Sequence, residues 1–253
     1  MTLHHEIIGR GPALFVLHGL LGSLANWRSV ARALADLRTI VLADLRSHGR
    51  SPHHPELTLA AMSQDVAELM STLGHQSADV LGHSLGGKIA MQLAVTSAAR
   101  VRSLIVLDIG PRRAPAMSET PLAACMALDL VEVKTREEAV RRLQDAVGTE
   151  ALARWLAMNL EREPTSGRLR WRIPLAAIHA ALPALSSDVS SGVYGGRALF
   201  LRGERSGYVT DADLPAIRSM FPAATVETVE NAGHWLHQDA FDAVVQRLRK
   251  FLS

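Results

Sequence analysis

The chain has one cysteine, Cys125, among 253 residues. One thiol cannot form an internal bridge, which excludes a disulfide-stapled mini-domain and a cysteine-rich zinc module. A chain of this length buries enough core without staples and suits one large domain or two small ones. Aromatic residues are also scarce, at 4%. Lysine is scarcer still: Lys88, Lys134 and Lys250 stand against 24 arginines. An excess of one charge is nearly missing. The balance is +2, from 27 basic and 25 acidic residues, too small to imply a nucleic-acid partner. No apolar run approaches the ~18 residues of a membrane span. The first residues lack the basic and then apolar regions of a secretory signal, so a reducing, cytoplasmic setting is expected.

What is present is an ordinary globular balance, 48% apolar and 21% charged. Compact apolar runs recur at Ala13–Leu17, Thr39–Ala43, Ala78–Leu81, Val101–Leu107, Arg197–Leu201 and Ala224–Val229. Near-continuous apolar strands are expected where helices cover both faces of a parallel sheet. Between them, Leu59, Met62, Val66, Leu69 and Leu73 form a helical stripe that Gly74 stops. Phe241, Val244, Val245, Leu248 and Phe251 form another. This alternation predicts an α/β fold with a mostly parallel central sheet flanked by helices.

The rhythm breaks after Pro111. Residues 112–191 read as nearly all helical, a lid inserted between two late strands, while residues 1–111 and 192–253 form the core. Thr135 and Glu138 predict a capping box for a helix through Ala146. Thr149 caps a helix to about Leu160, and Pro174 opens a third that Leu182-Pro183 ends. Alternating Arg168, Arg170 and Arg172 predict a short extended segment with one wet face.

Gly82-His83-Ser84-Leu85-Gly86 is a G-x-S-x-G, weak by itself. It follows the strand Ala78–Leu81 and opens a helix, the strand–turn–helix that such a serine needs to expose its hydroxyl. His18-Gly19-Leu20-Leu21-Gly22 follows an earlier strand. Its Leu20 N–H and the Leu85 N–H are the expected oxyanion donors. A serine nucleophile needs a general base. Of eleven histidines, His234 follows the strand Ala224–Val229, at the sheet edge where open α/β folds bind ligands. His237 is its rival, and His83 neighbours the serine in a tight turn. His18 reads as a loop-shaping hydrogen-bonder. No histidine pair shows convincing metal-ligand spacing.

With these residues the chain from Ala13 to Ser253 resembles the α/β-hydrolases, whose chain order is serine, acid, histidine. Asp44 to Ser51 resembles that family's D-x-R-x-x-G-x-S stretch, with Ser47 where glycine is common, and reads as structural. HGLLGS, GHSLGGK and LDIGP resemble the small bacterial YbfF-like esterases. Many members carry the triad acid in a G-x-x-D after the strand here at Arg197–Leu201. This chain has Gly203-Glu204-Arg205-Ser206 instead. Asp108, which ends the preceding strand, is where the YbfF-like group places its acid. Glu204 and Asp211 are its rivals. The resemblance also implies a hydrogen bond from Ser206 near His234 or Asp108. Trp27, Tyr208 and Trp235 fall near the expected mouth, and Cys125 reads as a packing residue.

The expectation is therefore a serine hydrolase of small esters or acyl thioesters, needing no cofactor or metal. A C–C bond hydrolase, a lactonase and a cofactor-free perhydrolase use the same triad, and a binding protein on this fold is the non-enzyme alternative. The expected partner is a small-molecule substrate. The arginines of the insertion read as a solvated face, with a phosphate-bearing acyl thioester as the alternative contact.

Overall fold

The structure, a computed structural model, describes residues 1–114 and 119–253. The first half alternates β1 (His5–Gly9), β2 (Ala13–Leu17), α1 (Arg28–Leu34), β3 (Thr39–Ala43), α2 (Leu59–Thr72), β4 (Ala78–His83), α3 (Leu85–Thr96) and β5 (Val101–Leu107). Then come α4 (Glu119–Ala127), α5 (Arg136–Val147), α6 (Glu150–Ala157), β6 (Leu160–Arg162), β7 (Leu169–Trp171) and α7 (Leu175–Leu185). The sheet resumes with β8 (Arg197–Gly203), α8 (Leu214–Met220) and β9 (Ala224–Val229), and α9 (Leu236–Asp239) and α10 (Phe241–Leu252) follow.

The main sheet has seven strands in the order β1-β3-β2-β4-β5-β8-β9. Only the β1–β3 pair is antiparallel. Alternate residues of the central strands enter two separate cores. Phe15 and Leu17 face the core shared with α2, α3 and the chain between β5 and β8. Leu14 and Val16 face the core shared with α1 and α10. Period-two alternation with apolar residues on both faces is why these strands look continuously apolar in sequence. Among the described residues, no helix is long and apolar enough to cross a membrane.

The segment between β5 and β8 departs from the nearly all-helical expectation at one hairpin, whose second strand falls on the extended segment expected at Arg168–Arg172. Leu160–Arg162 and Leu169–Trp171 pair as an antiparallel hairpin, which ends α6 at Ala157 rather than Leu160. Arg170 and Arg172 both reach Glu161 across that hairpin, a cross-strand pairing that helix periodicity does not reveal. Pro183 lies inside α7 instead of ending it. It sits near the helix end, so only a ladder bond near that end is forfeited. Thr135 caps α5 by accepting the Glu138 N–H, but the Glu138 carboxylate accepts from Lys134 N rather than closing the box on Thr135. Residues 115–118 of the 112–191 span lie outside the described residues.

Lys88 stitches this segment to the core. Its ammonium, wholly buried on α3, donates to the carbonyls of Pro111, Arg112 and Ser187. These carbonyls come from the two chain crossings that lead into and out of the segment. The crossings also pair with each other, Ala114 N to Ser186 O at 3.0 Å and Val189 N to Pro111 O at 2.8 Å. Burial pushes the Lys88 amine down to about 8, while three carbonyl acceptors favour its ammonium form. Lys88→Met keeps the stem and removes every donor. Unsatisfied buried acceptors predict a loss of about 2–4 kcal/mol in urea-unfolding stability. A change below about 0.5 kcal/mol, the scale of an ordinary surface substitution, contradicts this account.

Candidate active site

Five adjacent strands, β2, β4, β5, β8 and β9, end at one edge of the sheet. In that order their carboxyl ends carry Leu20, Ser84, Asp108, Ser206 and His234. A parallel sheet delivers all such loops to one side, which brings together residues up to 214 positions apart (Leu20 and His234).

Ser84 sits between β4 and α3 with φ of 52°. A non-glycine residue in the left-handed region is strained, and here close packing imposes it. A Cβ on Gly82 would lie 2.1 Å from Gly86 O, and one on Gly86 would lie 2.3 Å from Leu17 O. The glycines let strand and helix close on each other, and the serine takes the corner. Its N–H donates to Leu107 O at 3.0 Å.

Asp108 ends β5, also at positive φ, and is fully buried. Its Oδ1 accepts the Gly203 N–H at 3.0 Å, and its Oδ2 accepts from His234 Nδ1 at 2.8 Å and from the Ser206 hydroxyl. The rival acids lie elsewhere. Glu204 is exposed and accepts the Asn231 N–H, while Asp211 pairs with Arg202.

Ser84 and His234 border the same cavity, together with Leu20, Trp27, Trp235 and His237. The Ser84 hydroxyl and His234 share no direct hydrogen bond. Such contacts often tighten only when substrate binds. The backbone N–H groups of Leu20 and Leu85 are buried with their residues, and neither donates to an acceptor among the described residues. Trp27 is buried in the cavity wall, and Trp235 is half-buried beside Trp155 of α6. Tyr208 departs from the expected place. Its ring lies flat on the His234 imidazole at 3.8 Å and borders a separate cavity with Ile109 and Asp213.

A family model described as alpha/beta hydrolase fold matches residues 12–241. The chain belongs to this family. It is 36% identical to the mouse (Mus musculus) sn-1-specific diacylglycerol lipase ABHD11 over 96% of this chain and 81% of that protein. It is 29% identical to esterase YbfF of Escherichia coli K12, over 95% and 92% of the two chains. A solved marine microorganism esterase superposes with a TM-score of 0.95, at 35% identity over 99% of each chain.

The stretch from Asp44 to Ser51, expected to be structural, serves this hydrolase as scaffolding. Asp44 accepts the N–H groups of Leu24 and Arg50, each at 2.8 Å, and the His4 Nδ1. A Cβ on Gly49 would collide with its carboxylate. Arg46 is paired with Asp65. The insertion's arginines are largely committed to neighbours, Arg142 to Glu138 and Arg154 to Glu150 for example, which matches the solvated-face reading. Cys125 is buried, and burial pushes its thiol up to about 12.

His18 acts as the loop-shaping hydrogen-bonder expected of it, whereas sequence reasoning missed what His83 and His237 do. His83 Nε2 donates to the His234 carbonyl at 2.8 Å and so ties the serine turn to the histidine loop. His18 Nε2 accepts the Leu45 N–H at 3.0 Å, which leaves its Nδ1–H to donate to Gly19 O at 2.8 Å. His237 stacks on Trp27. Burial holds all three neutral, and His48 with them. In the sequence, only the place of His83 inside the G-x-S-x-G and of His237 three residues beyond His234 hinted at their roles.

Burial pushes both His48 and His237 down to about 3. In the unfolded chain they protonate below about 6.5. Between those values the unfolded state binds more protons, so stability falls as pH falls. Each such group contributes a slope approaching about 1.4 kcal/mol per pH unit in mid-window. Urea unfolding at pH 7, 6, 5 and 4 is expected to show this decline, with a shallower slope in His48→Gln. An unchanged slope in that variant counts against a buried neutral His48.

Proposed function

We propose that this hydrolase cleaves small carboxylic esters or acyl thioesters through an acyl-enzyme on Ser84. The observation that carries the reading is the 2.8 Å contact between His234 Nδ1 and buried Asp108, beside a cavity that His234 shares with Ser84. A carboxylate on Nδ1 keeps the proton there and leaves the Nε2 lone pair free to act as a base. The activities for which the matched relatives are named, a diacylglycerol lipase and two esterases, point the same way.

In this reading the Ser84 Oγ attacks the carbonyl carbon while His234 Nε2 takes its proton. The N–H groups of Leu20 and Leu85 stabilise the oxyanion, their lack of other acceptors among the described residues being the support for that role. His234 returns the proton to the leaving alcohol or thiol. Water then releases the acid, again with His234 as base. Asp108 orients the imidazole and stabilises its charged form. Ser206 acts as a positioning residue, holding the carboxylate oxygen that faces His234. Tyr208 holds the imidazole from behind, and Trp27 and Trp235 wall the substrate side.

Residues 112–191 act as the lid. Trp155 borders the cavity, and Asn159 donates to Leu21 O at 2.7 Å, next to the proposed oxyanion donor. Lid position and oxyanion loop are thereby coupled.

Ser84→Ala is expected to abolish hydrolysis of activated esters and labelling by a fluorophosphonate probe. Retention of wild-type turnover sinks the proposal. Asp108→Asn is expected to lower kcat by about four orders of magnitude, as loss of a triad carboxylate does. A mild effect there, with a severe one in Glu204→Gln, assigns the acid elsewhere.

A further inference from the structure

We infer that His237 holds the water that hydrolyses the acyl-enzyme, an inference that rests on the acyl-enzyme reading above. His237 lies on α9, three residues beyond His234, and is 5% exposed. It borders the cavity that Ser84 and His234 also border. Its ring is clamped, stacked on Trp27 at 4.3 Å with an interplanar angle of 18° and set edge-on to His83 at 5.1 Å. Its Nδ1 is sealed from solvent and has no partner among the described residues. Its Nε2 is not sealed in this way and makes no hydrogen bond to the described protein. An imidazole fixed in this way beside a reactive serine, with its polar atoms unanswered, points to a ligand at the cavity.

The tautomer follows from cost. A buried N–H without an acceptor is rarer and costlier than a buried lone pair without a donor. The proton therefore belongs on Nε2, the ring nitrogen that is not sealed from solvent. Hydrolysis itself names the ligand, since a water must enter this cavity to release the acyl group. The cavity has room for one: about 20 Å³ is open to the centre of a water, and about 10–15 Å³ by that measure suffices. That water accepts from His237 and reaches His234.

The chemistry balances with no further reactant. The water oxygen bonds to the acyl carbon and gives a proton to His234 Nε2. The tetrahedral intermediate collapses, the bond from carbon to Ser84 Oγ breaks, and His234 returns the proton to Oγ. The products are a carboxylic acid and free serine. His237 keeps its own proton throughout and serves to aim the water.

The test separates acylation from deacylation with p-nitrophenyl acetate, by rapid quench and intact mass of the acyl-enzyme. His237→Phe keeps a ring on Trp27 and removes both nitrogens, while His237→Gln loses the ring and keeps an N–H. The Phe variant is expected to acylate within about threefold of wild type and to deacylate about tenfold more slowly, the scale of one lost hydrogen bond. The Gln variant is expected to deacylate within about threefold of wild type, on the same scale. Should the Phe variant fail to fold, the Gln result decides alone. Slow deacylation in the Gln variant, wild-type deacylation in Phe, or equal slowing of both steps in Phe overturns the inference. Absence of any wild-type acyl-enzyme on Ser84 overturns instead the reading beneath it.

Discussion

The buried carboxylate of Asp108 organises the sheet edge that carries the candidate site. A charge taken wholly out of water costs several kcal/mol unless donors surround it. Asp108 obtains three: the Gly203 N–H, the Ser206 hydroxyl and the His234 imidazole. Two of these belong to the end and following loop of β8, and the third follows β9. Meeting the demand of one carboxylate therefore sets the positions of the loops that carry the other groups. The same demand dictates the histidine tautomer, because Nδ1 must donate.

Backbone strain and close packing supply the complementary part. Ser84 and Asp108 both occupy positive φ at the ends of adjacent strands. Ordinary side chains avoid that region, so both conformations are maintained by their surroundings. For Ser84 the surroundings are Gly82 and Gly86, which admit backbone where any Cβ would collide. Neutral imidazoles then tie the loops together. His18 and His83 each use a ring nitrogen to fasten one active-site loop to another backbone. An uncharged ring suits that task, since a buried imidazolium would require its own counter-ion.

Much of this was legible in the residues. The apolar runs located the strands of the sheet that precede the site, and the strand–turn–helix context singled out Ser84. Asp108 was separable from Glu204 and Asp211 only through resemblance, because all three are carboxylates near strand ends. Half of the β6–β7 hairpin was legible, β7 in the alternation of Arg168, Arg170 and Arg172, while β6, three residues long, is too short to display a period of its own. Tyr208 follows Ser206 in the chain and is expected at the mouth, yet its ring lies flat on the His234 imidazole and borders a different cavity. Adjacency along the chain does not fix which side of a neighbour a side chain covers.

The sequence by itself determined the α/β alternation, the corner at Ser84 and the histidine after the last strand. Each of these is a local property, set by hydrophobic periodicity, glycine spacing and position at a strand end. Only the tertiary structure decided the partners. The roles of Ser206 toward Asp108, of Lys88 toward the outgoing crossing at Ser187, and of His83 toward the His234 loop join residues about 100 or more positions apart. Such pairings depend on the strand order of the sheet and on the need to satisfy buried polar groups, and neither is written in any local stretch of chain.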